Sequence, residues 1–285
     1  MKRMQEQLRH GALMPSDAIP VPIIGQLRNM RNSLIARVFY ELNLKPVAPK
    51  DAPADSKLGY LWMCNIYGSN YDFSADIEMV KQRSPDIHIV NNTHFTDDKL
   101  VVEQEFEKAF GYALGIDPLT HVGKALTKSR INARHDGAII DTPIAKPNPE
   151  AVYERLIDNV TDDGRIEEVR VTVVNFEPVH LHVKIRKIDD RFVVWNNDHS
   201  HLAPLDEIYS ADELSRMAAF TRGIGLECGE LDVLRDRESG KIYIIDANNT
   251  PYGPTGTLTD AEKAELLRDL AASFAKAYNV GSFGK

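Results

Sequence analysis

Cysteine is nearly missing: the 285-residue chain holds only Cys64 and Cys228. Two thiols cannot build the disulfide framework of a small secreted protein, and they fit a reducing compartment. Both read as inert buried thiols. An excess of basic residues is missing too. With 34 Lys and Arg against 42 Asp and Glu, the net charge is -8, which excludes a general nucleic-acid binder with its basic stripe. Local basic clefts for phosphate remain compatible with that balance. No apolar run reaches the roughly 18 residues that suggest a membrane span. The opening MKRMQEQLRHGALMPSD lacks the continuous apolar segment of a signal peptide. The expectation is therefore a soluble cytoplasmic protein with no nucleic-acid and no membrane partner. Internal repeats, low-complexity tracts and any Ser-His-Asp or Cys-His constellation for nucleophilic catalysis are also absent.

What is present centres on residues 225–258, GIGLECGELDVLRDRESGKIYIIDANNTPYGPTGTL. Apolar-rich segments at 227–234 and 241–247 flank the polar turn 235–240, which predicts two antiparallel strands. Side chains alternate along a strand, so Glu230 and Asp232 share one face, as do Asp246 and Asn248. If the strands pair near those ends, three carboxylates and an amide oxygen converge. Hard oxygen ligands crowded together suit Mg²⁺, and without a cation the crowd would repel itself. A solvated acidic hairpin is the competing reading. It weakens because Tyr243, Ile244 and Ile245 read as a buried strand that then emits Asp246, Asn248, Asn249 and a Pro/Gly-rich loop, a usual place for chemistry in α/β proteins.

The rest of the chain reads as follows. Prolines 15, 20 and 22 make residues 1–25 irregular, and apolar spacing predicts one helix over 26–44, then a loop over 45–57. Strand 58–66, helix 75–83 and strand 87–90 suggest a small parallel βαβ unit. A helix opens at Asp98-Lys99 and runs to Leu114, closed by Gly115; strands follow at 125–133 and 138–144. Residues 153–157 fit either a helix or a short strand. Alternating strands are expected at 169–175, 179–188 and 191–195. Ser210 with Glu213 and Thr259 with Glu262 are capping boxes that start two further helices. The fold class is mixed α/β (α+β).

With these pieces in order, the chain resembles the ATP-grasp superfamily, particularly carboxylate–amine ligases of the D-alanine:D-alanine ligase type. The resemblance covers about 97–258 and extends weakly into the preceding βαβ unit. It implies two α+β subdomains clasping ATP over 97–285, with a lid at about 119–158, after an N-terminal domain at 1–96. Its strongest part is the hairpin: Asp232 matches the acidic Mg²⁺ ligand of the first strand, and Asp246-Ala247-Asn248 matches Glu-x-Asn on the second, with Asp for Glu. The shorter Asp246 would draw the metal toward the strand or require a water bridge. Asn249, Tyr252 and Gly253 fall in the substrate-side loop. Lys99 and Lys128 match phosphate-binding lysines, Glu154, Arg155, Leu156 and Ile157 match the hinge that meets the nucleotide, and Lys184 and Arg186 match the catalytic phosphate and transition-state contacts. The usual glycine-rich flap is reduced at 132–137 to Gly137 alone, with Arg134 and His135 as substitute donors.

The activity implied is phosphorylation of a carboxylate by ATP with Mg²⁺, or Mn²⁺ in its place, giving an acyl phosphate that an amine or other nucleophile attacks. Small-molecule carboxylate and amine substrates are the implied partners. Asn65, Tyr67, Asn91, Asn92, His94, Tyr252 and Thr255 are candidate pocket residues. The short N-terminal region suggests that a second subunit, as in a homodimer, or another partner completes the pocket. An ATP-grasp phosphotransferase and a non-catalytic nucleotide-binding protein are the rival readings. A zinc site from His180 and His182 with His199 or His201 matches no strong zinc spacing.

Overall fold

The computed structural model describes residues 17–25, 27–30, 33–62, 72–92, 98–131, 134, 136–193 and 196–281. Three sheets form among them. The first contains β1 (Ile19–Gly25), β2 (Leu44–Val47), β3 (Leu58–Trp62) and β4 (His88–Val90), all parallel, in the order β2-β1-β3-β4. Parallel neighbours need crossovers, and helices α1 (Leu34–Glu41) and α2 (Ser74–Arg83) supply two of them.

Two expectations fail in this region, each for a local reason. Residues 19–25 are a strand despite Pro20 and Pro22. The Ile19 amide faces β2 through the Asn43 carbonyl, and pairing with β3 begins only at Ile23. The prolines therefore point their missing N–H where no ladder bond is required. The expected helix over 26–44 is also broken. A single turn at Leu27–Met30 precedes α1, which restarts at Ser33, whose hydroxyl accepts from the Ala36 amide at 3.1 Å. Residue 44 already belongs to β2, after Asn43 turns the chain at φ 54.

Next comes α3 (Lys99–Phe110), capped by the Asp98 carboxylate and closed by Gly111 in the left-handed region, one turn earlier than Gly115. Strands β5 (Gly123–Ser129), β6 (Ala138–Thr142) and β7 (Ala151–Arg155) form an antiparallel sheet in the order β6-β5-β7. The ambiguous segment at 153–157 is thus largely strand.

The third sheet is antiparallel and runs β10-β9-β8-β11-β12. Its strands are β8 (Arg165–Val174), β9 (Glu177–Lys187), β10 (His199–Leu202), β11 (Cys228–Arg235) and β12 (Ile242–Asn248). Residues 191–193 form no strand; β10 takes the place expected for 191–195, of which 194 and 195 lie outside the described residues. Both capping boxes are present, opening α4 (Ala211–Ile224) and α5 (Asp260–Ala277).

The two faces of this sheet differ completely in chemistry. Val169, Val171, Val173, Leu181, Val183, Ile185, Leu231 and Val233 point to one side, where Phe106 of α3 and Met217 and Phe220 of α4 cover them. Complete burial of a side chain such as Phe106 contributes roughly 1.5–3 kcal/mol. The opposite face carries Glu168, Arg170, Thr172, His180, His182, Lys184, Glu230 and Asp232. At its lower end α5 and the first sheet close over Val174 and Cys228. There the Asn91 side chain donates to the Cys228 carbonyl and accepts from its amide, both at 2.8 Å. Glu227 accepts from the Asn91 amide at 3.1 Å and lies 2.6 Å from His88 Nε2.

Candidate active site

The acidic ribbon pairs as its alternation requires: Asp232 lies opposite Asp246 and Glu230 opposite Asn248, with an irregularity after Asp232. On the other side of β11, Arg170 faces Asp232 and Thr172 faces Glu230. His182 and His180 continue the same two rows on β9. Gly229 permits the close approach, since a Cβ there would collide with the Asn248 carbonyl.

The charges on this face neutralise one another. Arg170 Nε and Nη2 donate to the two oxygens of Asp232 at 2.8 and 2.9 Å, a bidentate fork. Lys184 Nζ donates to Asp232 Oδ1 at 3.2 Å and also contacts Glu168, whose other oxygen holds Arg186. Burial pushes the Asp232 carboxyl up, but the Arg170 and Lys184 charges outweigh it and hold the group well below the usual carboxylate range. Glu230 is compensated less: burial, with the Asp232 charge beside it, lifts it to about 7 against the pull of Arg170 and Lys184. Burial, aided by Arg170 and Lys184, keeps the His182 imidazole well below its ordinary value.

Two lysines reach the ribbon from elsewhere in the chain. Lys99, in the first turn of α3, donates to Asp246 Oδ1 at 2.7 Å. Lys128 on β5 bonds the Ile245 carbonyl at 2.9 Å and Glu154 of β7 at 2.7 Å. The three-stranded sheet therefore touches β12 beside Asp246. Glu103 of α3 joins Glu154 and Lys128; burial, then the Glu154 charge and a hydrogen bond with it, push Glu103 up to about 9. Arg130 clamps the α3 cap, Asp98, through Nη2 at 2.6 Å.

The loop after β12 crosses the polar face. Asn248 Oδ1 accepts from the Thr250 amide and hydroxyl, both at 2.8 Å. The Pro251 carbonyl accepts from the Leu34 amide at 3.0 Å, and Tyr252 bridges Ser33. Further along, Thr255 accepts from Asn197 at 3.4 Å and Thr257 meets Ser200 at 2.7 Å.

No family model matches the sequence, and no curated protein sequence matches it. Solved structures do match. One is the ATP-grasp ligase PsnB complexed with a minimal precursor, at 12% identity and a TM-score of 0.56, covering 90% of this chain and 99% of that one. Another is the D-alanine--D-alanine ligase from Bacillus anthracis complexed with ATP, at 12% identity and a TM-score of 0.52, covering 93% and 99%.

The fold is the ATP-grasp fold.

On this ATP-grasp frame, Asp232, Asp246 and Asn248 share one sheet face with Lys184, and Lys99 and Lys128 reach the same end of the ribbon. Arg186 joins through Glu168 and is 1% exposed. Glu154 is buried on Lys128, whereas Arg155 is exposed, Leu156 half-buried and Ile157 part of the apolar core. Asn249 is buried with an unpartnered Nδ2, and Tyr252 is 53% exposed at the surface. Gly253 follows in the same loop. Asn91 belongs to the junction with Cys228 rather than to the ribbon. Asn65, Tyr67, His94, Asn132 and His135 lie outside the described residues.

Pairing argues against the zinc alternative. Ser200 and Leu202 face Lys184 and His182, so His199 and His201 project from the other side of the sheet. Among the described residues no three His, Cys, Asp or Glu side chains are grouped to hold a metal. The oxygen-only set of Asp232, Asp246 and Asn248 nevertheless has the chemistry a hard divalent cation needs. Asp246, a third exposed, is the approachable member.

Sequence reading leaves Glu168 out of the site, sees Arg170 beside the cationic strand face of His180, His182, Lys184 and Arg186 without giving it a role, and leaves out Glu103. Glu168-Val169-Arg170-Val171 alternates as a two-faced strand should, which was an available signal for the first two. Glu103 gives none, because within KLVVEQEFEKAF it looks like one more solvent-facing helix acid.

Proposed function

We propose that the chain is an ATP- and Mg²⁺-dependent ligase that converts a carboxylate into an acyl phosphate and transfers the acyl group to an amine or other nucleophile. One observation carries this reading. Asp246 pairs with Lys99 and Asp232 with Lys184, on the sheet face that also carries Asn248, while Lys128 bonds the Ile245 carbonyl beside Asp246 and Arg186 shares Glu168 with Lys184.

Phosphoryl transfer needs little covalent help from a protein; it needs positioning and neutralisation of phosphate charge. Asp232, Asp246 and Asn248 would hold Mg²⁺, which when bound supplies bridging positive charge to the phosphates. Lys99, Lys128, Lys184 and Arg186 would balance phosphate oxygens on leaving their present carboxylate partners. Residues 154–157 would line the nucleotide, and Asn249, Tyr252 and Gly253 the substrate. In this reading residues 1–96 form the preceding domain and 97–285 the ATP-binding unit. PsnB has been solved with its precursor peptide PsnA2 and AMPPNP, so carboxylates and amines on peptide side chains belong among the substrates tried.

The test is an ADP-release screen of carboxylates crossed with amines, free and peptide-borne. ADP formed only when both are present supports the ligase. A stable phosphorylated product without any nucleophile would replace it with a phosphotransferase. Asp246→Ala and Asn248→Ala should each cut turnover at least about 100-fold, as expected for lost transition-state charge stabilisation; Asp246→Ala should melt as the original does, whereas Asn248→Ala, which strips the Thr250 amide and hydroxyl of their acceptor, should melt lower. Full activity in both would remove the metal assignment.

A further inference from the structure

We propose that Glu230 and Thr172 form the subsite that receives the amino group of the attacking nucleophile. This rests on the ligase reading and adds to it the nucleophile's class: a primary ammonium, rather than an anionic acceptor.

Glu230 is 3% exposed, and neither carboxylate oxygen has a hydrogen-bond partner among the described residues. Its nearest cation, Arg170 Nη1 at 3.6 Å, is beyond hydrogen-bond reach, and the rest of that guanidinium is engaged with Asp232. Thr172, directly across from Glu230, is buried with an unpartnered Oγ1. Both share the sheet face of Asp232 and Asn248.

Buried polar groups left without partners are costly, and a carboxylate most of all. If packing were the only demand at residue 230, an apolar side chain would serve better. A primary ammonium presents three N–H donors. The two Glu230 oxygens and the Thr172 hydroxyl are three acceptors for them. A carboxylate or phosphate brought to the same place would meet Glu230's negative charge. The position also suits the chemistry, because Asn248, a proposed metal ligand, lies across the ribbon from Glu230.

In the step served, the amine nitrogen bonds to the acyl carbon. The carbon–oxygen bond to phosphate breaks, with its electron pair leaving on phosphate. Of the two protons that an ammonium loses on becoming an amide, one leaves on the released phosphate and the other goes to solvent. Glu230 holds the incoming group in place for this exchange.

The experiment sets two nucleophiles against each other. Protein, ATP, Mg²⁺ and the carboxylate found by the ADP-release screen are mixed with a primary amine and with hydroxylamine, which is largely uncharged at neutral pH. The ratio of amide to hydroxamate is then measured. Glu230→Gln should shift that ratio toward hydroxamate by at least about tenfold, the worth of one charge-assisted hydrogen bond. Glu230→Asp, which keeps the charge, should fall between Gln and the original. A ratio within about twofold of the original in the Gln variant, or an equal shift in the Asp variant, overturns the subsite. If the unaltered protein forms neither product, the ligase reading fails, and the subsite with it.

Discussion

Glu103 shows how one side chain can couple protonation to folding. It is buried beside Glu154, with Lys128 as the nearby cation, and burial and the second carboxylate raise it from 4.5 to about 9. The folded protein therefore keeps a proton that the unfolded chain releases, so stability falls as pH rises between those two values. Glu103→Gln removes this linkage while retaining the shape. Its gain over the original protein should be close to zero near pH 4 and grow steadily toward pH 8, measured as urea midpoints. Parallel pH profiles for the two proteins would show that no proton is retained. Sequence reading fared unevenly with single residues. Asp232, Asp246 and Asn248 could be found because a period of two fixes which neighbours share a face. Glu103, Glu168 and Arg170 could not be placed as their partners, since pairing register and helix packing join residues far apart in the chain.

The elements hold their charges in exchangeable pairs. Lys99 at the start of α3 occupies Asp246, and Lys128 on β5 occupies Glu154. Each lysine proposed for phosphate thus lies on an acid within the site. Replacing Lys99 with Met should free Asp246 and tighten binding of Mn²⁺ alone by about threefold to tenfold, as loss of one partly exposed ion pair allows. Binding of a non-hydrolysable ATP analogue should weaken at the same time. Mn²⁺ titration followed by electron spin resonance reads the first, calorimetry the second; unchanged metal affinity would show that Lys99 does not compete. Elements marked by chemistry were legible, as with the capping boxes at Ser210 and Thr259. Those resting on tertiary context were not. Pro20 and Pro22 read as breakers because nothing local says that β3 starts to pair only at Ile23. The helical apolar spacing of 26–44 likewise conceals the break before Ser33, where α1 restarts and which the loop around Pro251 and Tyr252 helps to fix.

At the scale of the whole molecule, the first sheet and the five-stranded sheet are joined through Asn91. With φ at 63, it presents its side-chain amide to Cys228 as a strand would present its backbone. Asn91→Ala removes both bonds from the buried Cys228 peptide and places Ala in a left-handed conformation. A loss of about 2–4 kcal/mol is expected, read as a lower urea midpoint; a loss under about 0.5 kcal/mol, the usual range for an inconsequential surface change, would mean the junction is held elsewhere. The general architecture was legible because strand and helix types follow periodicity, whereas this junction depends on one asparagine whose neighbours signal nothing. The separation of polar and apolar faces in the five-stranded sheet has a practical outcome for anyone wishing to retarget the protein. Alternate letters of the same strands serve different ends, one set packing the apolar core and the other lining the charged face. A library confined to positions 172, 180, 182 and 230 would vary the polar face while leaving both the apolar set and the ion pairs of Glu168 and Arg170 intact.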